Sequence, residues 1–356
     1  MYQKGNCHLP KFGYLYSKNM CEQLRNISLK SYNTFGIEVH AHSLNQVSSP
    51  KGLCEVVKKI QSDGIPMLVL GGGSNILFTK DYDGAIVRPL VLGIEIIHED
   101  AEWVTIRVGA GVEWDTLVEY AVVRGWGGLE NLSLIPGSVG ASPIQNIGAY
   151  GAEAGNSISR VSYFNIESLT HEGIDGNQCR FGYRTSIFKT ELKGRVVITH
   201  VDFRLSKNPK LSTHYGSIEE ELSKLGGASL ANVRRAVISI RSSKLPDPKE
   251  LGNAGSFFKN PVVSVDKLNA IRRNNPQVPS FPIDGSWAKV PAGWLIEQCG
   301  WKGKKRGNAG VHSQQALVLV NHGGATGIQV LELASAIQES VVNRFGIELE
   351  LEVNVV

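Results

Sequence analysis

The sequence predicts an α+β protein of two or three domains. Three observations carry that prediction. The chain has 356 residues, enough for more than one hydrophobic core. Helical and strand periodicities both occur along it. No internal repeat orders them, and no glycine turn has Rossmann spacing within a βαβ unit.

Residues 1–22 are polar and read as a loose N-terminal extension. The first domain is expected over 23–80. Leu53, Val56, Val57 and Ile60 mark one face of a helix that Gly64 ends. Pro66 precedes a short apolar strand, Met67 to Leu70, which runs into Gly71-Gly72-Gly73-Ser74-Asn75 and then Ile76 to Phe78. The second domain is expected over 81–243. Val104, Ile106 and Val108 alternate with Thr105 and Arg107, the pattern of a half-buried strand ending at Gly109-Ala110-Gly111. Trp114, Leu117, Val118, Ala121 and Val122 predict a helix with Gly125 at its C-terminus. Residues 127–155 lack periodicity and are rich in Gly, Ser, Pro and Asn. They read as a functional loop rather than core. A strand comes next at Val197 to Leu205, then a helix carrying Leu230, Val233, Val237 and Ile240. Leu245-Pro246-Asp247-Pro248 reads as a linker into the third domain, 244–356. That domain closes with a helix near Ile328 to Phe345. An amphipathic strand comes last, in which Ile347, Leu349, Leu351, Val353 and Val355 alternate with Glu348, Glu350, Glu352 and Asn354.

Composition narrows the function. A net charge of +4 is too mild for a nucleic-acid partner. The one basic cluster, Lys302, Lys304, Lys305 and Arg306, reads as a solvated loop before it reads as a phosphate contact. Five scattered cysteines form neither a disulfide framework nor a zinc site. The nine histidines show no metal-binding spacing, and His312 reads as a loop or site-lining residue. No apolar run approaches the ~20 residues of a membrane span, and no signal peptide is seen. A cytoplasmic protein without metal or membrane partner is expected.

Two kinds of segment carry chemistry. Glycine-rich turns at 71–75, 109–111 and 136–143 suit backbone N–H groups aimed at an anion. Together with the polar stretch 146–151 they favour a large phosphate-containing cofactor. The second kind is Gly252 to Pro261. Its small residues deliver one hydroxyl, Ser256, and its aromatics and proline lock the chain beyond that hydroxyl. Taken alone, Ser256 could merely cap a helix, Arg184 reads first as a surface ion pair, and Glu352 reads by default as a solvated glutamate.

Taken together, nine segments remove that ambiguity. They are 33–36, 72–75, 135–140, 145–151, 179–184, 244–248, 252–261, 292–296 and 314–319. In that order, across roughly residues 30 to 353, they resemble UDP-N-acetylenolpyruvoylglucosamine reductases. The resemblance implies an FAD-binding fold of the PCMH/vanillyl-alcohol-oxidase type in two α+β subdomains, with a third α+β domain over the substrate. It implies non-covalent FAD, NADPH as co-substrate, a small-molecule substrate and a monomer. The activity implied is reduction of an enolpyruvyl ether to UDP-N-acetylmuramate in bacterial cell-wall synthesis.

Residue roles are implied by the same resemblance. Ser256 is the implied proton donor, with Arg184 and Glu352 at the substrate carboxylate. Tyr215 matches the mobile-loop tyrosine of one subclass, and Lys244, Asn260, Gln315 and Tyr150 are further substrate contacts. Gly71, Gly72, Gly73, Ser74, Asn75, Gly137, Ser138, Gly140, Ala141, Asn146, Ile147, Gly148 and Gly151 are the implied FAD contacts. Asn354 stands where relatives often carry a basic residue. Two other readings remain: another FAD-dependent oxidoreductase of this fold, or a nucleotide-sugar-binding protein without turnover.

Overall fold

The computed structural model describes residues 21–356. The expected extension lies almost wholly outside the described residues, and its last two positions already belong to the strand Cys21–Ser28. No helix among the described residues is long and apolar enough to cross a membrane.

The first sheet runs in the order Cys21–Ser28, His40–Val47, Tyr82–Pro89, Met67–Val69. Its first pair is antiparallel and the other two are parallel. Tyr82–Pro89 therefore carries this sheet past the division expected at residue 80. Ala85, Ile86 and Val87 are fully buried, as a central parallel strand requires. Helix α1, Pro50–Ser62, starts where the Ser49 hydroxyl accepts from the Gly52 N–H at 3.1 Å. It lays Leu53, Val56, Val57 and Ile60 on this sheet and against Phe164 and Val197 of the next.

The second sheet is antiparallel, in the order Thr170–Asp175, Ile158–Asn165, Val196–Ser206, Trp103–Gly109, Ile94–Glu99. Val104, Ile106 and Val108 face its core with helix α2, Trp114–Val123. Gly125 comes just after that helix at φ +77°, the left-handed stop expected there. Helices α3, Ile218–Lys224, and α4, Leu230–Lys244, share a small apolar cluster beside it.

The segment 127–155 departs from expectation. It contributes to the core: Leu129, Leu132, Val139 and Ala154 are fully buried in the second core. Its polar residues serve its own backbone. Ser133 donates to the Glu130 carbonyl at 2.6 Å, Ser142 to that of Val139 at 2.7 Å, and Asn146 accepts from the Gly155 N–H at 2.8 Å. The composition that argued against core instead satisfies irregular buried backbone.

The third region centres on the sheet Gly252–Ser256, Val318–Asn321, Ala309–Val311, Lys305–Arg306. Helices α5, Val265–Asn274, α6, Ala292–Gln298, and α7, Gly327–Phe345, complete it. A capping box of Thr326 and Gln329 opens α7, and Gly346 at φ +59° closes it. Its core is continuous with the first sheet: Phe35, Leu44 and Phe78 pack in one cluster with Phe257, Leu333 and Ile337.

The C-terminal segment also departs from expectation. Alternation holds through Ile347 to Glu350 and then fails, because Glu352 and Val353 are both buried while Val355 is exposed. Only Asn354–Val355 forms a ladder, parallel to Ile76–Leu77 of the first region. The tail leaves one neighbour for another, so no single face stays wet.

Candidate active site

The Ser256 hydroxyl is placed by a break in sheet register. Gly252–Ser256 pairs with Val318–Asn321, but the pairing slips between Asn253 and Ser256. Gly255 sits there at φ +68°, its N–H held by Asn253 Oδ1 at 2.9 Å. Beyond the slip, Phe257 and Phe258 are buried and meet edge to face at 5.3 Å. Ser256 is thus half-buried between a bulge and an aromatic anchor. Its hydroxyl makes no hydrogen bond among the described residues.

The C-terminal tail lies alongside. The Glu352 N–H donates to the Phe257 carbonyl at 2.9 Å, and the Lys259 N–H to that of Glu350 at 2.9 Å. Glu352 therefore sits one residue across from Ser256-Phe257, brought from the far end of the chain. Its carboxylate accepts from Arg184 Nε at 2.6 Å, and Arg184 Nη2 donates to the Gly148 carbonyl at 2.9 Å. Nη1 has no protein acceptor among the described residues. Arg184 holds φ +55°, a strained value for a non-glycine residue. Burial pushes the Glu352 carboxyl above its ordinary range, and Arg184, Lys189 and Lys259 pull it down without cancelling that effect.

Behind the Arg184–Glu352 pair stand Gln145 and Lys189, which sequence reasoning did not name as site residues. Gln145 Oε1 accepts from Asn75 Nδ2 at 2.8 Å and from Lys189 Nζ at 3.4 Å. Asn75 Nδ2 also holds the Glu352 carbonyl at 3.2 Å. Burial and the nearby Lys259 hold the Lys189 ammonium below its usual range. Asn354 donates through both its backbone N–H and Nδ2 to the Asn75 carbonyl, at 3.1 and 3.0 Å. That gives the unusual asparagine a place: it ties the Glu352 tail to the first glycine turn.

The substrate-contact candidates divide into those the fold gathers and those it does not. The Tyr215 ring meets Tyr150 edge-on at 6.3 Å and lies nearly parallel to Phe281, across from it in the third region, at 6.1 Å. The Asn260 N–H donates to the Tyr183 hydroxyl at 3.2 Å, and Lys289 Nζ sits 3.6 Å over the Tyr183 ring. Lys244, at the end of α4, is exposed, and its ammonium makes no hydrogen bond among the described residues. Gln315 turns onto its own turn, accepting from the Leu317 N–H at 3.4 Å. Of the basic cluster, Lys302 pairs with Glu297 at 3.0 Å, while Lys305 and Arg306 are exposed. His312 keeps a buried Nδ1 without a partner.

The glycine turns differ among themselves. The first and the last press together: a Cβ on Gly72 would lie 2.9 Å from Gly137 Cα, and Ser74 Oγ donates to the Pro136 carbonyl at 3.0 Å. Among the described residues, no acceptor takes the N–H groups of Gly71 to Asn75, nor those of Gly137 and Ser138. Adjacent unpaired N–H groups of this kind fit the pyrophosphate of a dinucleotide such as FAD. Thr34 joins this cradle to the Ser256 strand. Its N–H donates to the Gly73 carbonyl at 3.0 Å, and its carbonyl accepts from the Asn253 N–H at 3.0 Å.

Other expected anion contacts are already occupied. The Gly109–Gly111 turn donates to Gly93, Thr199 and Val91 carbonyls, so it presents no N–H to a ligand. The Gly140 and Ala141 N–H groups go to Ala110 and Ser138, and that of Ile147 to Ser142. Asn146 spends its amide on Glu153, Gly182 and Gly155.

The chain is similar to known proteins over most of its length. Residues 247–356 match the family described as UDP-N-acetylenolpyruvoylglucosamine reductase, C-terminal domain, and residues 43–166 match an FAD binding domain. The chain is 49% identical to the UDP-N-acetylenolpyruvoylglucosamine reductase of Bacteroides fragilis, over 92% of this chain and 98% of that one. It is 45% identical to that of Pseudomonas aeruginosa, over 94% and 98%. A crystal structure of the Thermus caldophilus reductase superposes with a TM-score of 0.64 at 26% identity, covering 94% of this chain and 98% of that one. The fold is the α+β flavoprotein fold that the sequence predicts.

Proposed function

The chain belongs to the UDP-N-acetylenolpyruvoylglucosamine reductase family as an FAD-dependent oxidoreductase, and on that premise we propose its reaction and the roles of its residues. The enzyme reduces the enolpyruvyl ether of UDP-N-acetylglucosamine to UDP-N-acetylmuramate, a peptidoglycan precursor, at the expense of NADPH. FAD, when bound, supplies the hydride. It acts as a cytoplasmic monomer.

The observation that carries this reading is the unpartnered Ser256 hydroxyl, one residue from the Phe257 carbonyl that the Glu352 N–H reaches, with the partly buried Arg184–Glu352 pair alongside. Addition of hydride to the vinyl CH2 leaves negative charge on the adjacent carbon and its carboxylate. Stabilisation is needed where that charge develops, and a proton donor is needed next to it. Arg184 Nη1 is free to take the carboxylate. The Ser256 O–H bond breaks as the new C–H bond forms, and the hydroxyl regains its proton from solvent. Glu352 assists only when protonated, since a bare anion would repel the intermediate; burial shifts its carboxyl in that direction. The paired turns at 71–75 and 137–138 would hold the FAD pyrophosphate.

Purified protein is expected to be yellow, to bleach with NADPH, and to recover its colour on adding the enolpyruvyl substrate. A folded but colourless protein would refute the flavin reading. Bleaching without recovery would point instead to another oxidoreductase of this fold.

Tyr215 is 42% exposed in the second region and stacks its ring on Phe281 of the third. Replacing Tyr215 with Phe is expected to raise KM for the enolpyruvyl substrate several-fold, by removing one phosphate-directed hydrogen bond of roughly 1 kcal/mol. An unaltered KM would argue against that contact.

A further inference from the structure

We propose that Asn131 is a positioning residue for the substrate site, tying the Tyr150 and Tyr215 segments into one unit. The proposal rests on the reading of those tyrosines as nucleotide contacts.

Asn131 lies in the short 3-10 turn Glu130–Leu132 and is 3% exposed. Its Nδ2 donates twice, to the Tyr150 carbonyl at 3.0 Å and to the Ser212 carbonyl at 2.9 Å. The two acceptors belong to different segments that no strand ladder joins. Tyr150 is held at φ +50° and Gly151 at φ +79°, so the first segment turns sharply at this point. A Cβ on Gly151 would stand 3.6 Å from Tyr215 Cβ, so the second segment runs close against the first. The edge-on Tyr150–Tyr215 pair and the Tyr215–Phe281 contact are built on that approach.

Nothing else fixes the second segment as firmly. Among the described residues, the Asn131–Ser212 bond is the only hydrogen bond made by the backbone from 209 to 215. Leu211 adds an apolar contact with the α3–α4 cluster. Both partners of Asn131 are carbonyls, so the residue between them must donate twice, and at 3% exposure an uncharged amide does so without burying a charge. A carboxylate would offer only acceptors. The tether aims the tyrosine without touching the ligand.

The test uses the full-length, FAD-loaded enzyme with Asn131→Ala, Tyr215→Ala and the double variant. Asn131→Ala is expected to raise KM for the enolpyruvyl substrate several-fold, up to the effect of losing the Tyr215 contact, with kcat and bound FAD close to the parent. In the Tyr215→Ala background the same change should add little. Trypsin cleavage after the exposed Lys210 should accelerate in Asn131→Ala. Independent, multiplying effects in the double variant would overturn the proposal, because they mark a merely structural residue. So would unchanged KM and unchanged cleavage. If Tyr215→Ala alone leaves KM unaltered, the nucleotide-contact reading fails, and faster Lys210 cleavage would still support the tether. Asn131→Ser keeps one donor and should show a smaller effect of the same kind, which covers the case in which Asn131→Ala does not fold.

Discussion

Ser256→Ala is expected to slow reoxidation of the reduced flavin by the enolpyruvyl substrate by roughly 10²- to 10⁴-fold, the range for loss of a positioned proton donor. Flavin reduction by NADPH should stay nearly intact, because that half-reaction needs no proton at the substrate carbon. The substitution is structurally mild. Ser256 is half-buried, its hydroxyl holds no other group in place, and the bulge that positions it is made by Gly255 and Asn253. Stopped-flow absorbance of the flavin tracks each half-reaction separately. A comparable slowing of both would contradict the proton-donor role, since it would mean a general disturbance of the cleft.

Periodicity made much of the scaffold legible. The apolar spacing of Leu53 to Ile60 and of Leu230 to Ile240 corresponds to α1 and α4, and the alternation at Val104 to Val108 to a central strand of the second sheet. Local pattern fails where burial comes from distant chain. Tyr82–Pro89 is hidden on both faces, so it shows no alternation, and its Gly84 and Pro89 resemble turn residues. The segment 127–155 looks like a wet loop because Gly, Ser and Asn serve solvent and buried irregular backbone equally well. Arg184 and Glu352 were each legible only within separate motifs. Their pairing depends on the tail crossing from Phe258 to the Ile76–Leu77 strand, which no local spacing encodes. Asn131, Gln145 and Lys189 carry no local signal, since each acts through partners far away in the chain.

Glu352→Gln should separate the chemical and structural consequences of one buried carboxyl. The amide keeps an acceptor for Arg184 Nε but can no longer titrate. Flavin reoxidation is expected to fall roughly 10²- to 10³-fold, as for other removed electrostatic stabilisers. If Glu352 works protonated, the wild-type rate declines as pH rises through its folded pKa, and that limb is absent in the variant. Stability changes in a defined direction as well. The carboxyl binds its proton more tightly in the folded state than at its ordinary value of 4.5. Its stabilising contribution is therefore complete below that value and is lost as pH rises through the folded pKa. Glutamine removes that loss, so the difference in Tm, variant minus wild type, should climb with pH across the window. Arg184, Lys189, Lys259 and Tyr183 act electrostatically on the carboxyl, and Glu350, paired with Lys259, shares its tail. Lys259 pulls Glu350 down, the opposite sense, but that titration is common to both proteins and cancels to first order in the difference. The fixed cost of leaving Arg184 with a weaker partner sets the offset between the two curves, and the titration sets their slope. Identical pH–rate curves and rates, or a Tm difference independent of pH, would remove Glu352 from the chemistry and leave it as a structural anchor for Arg184.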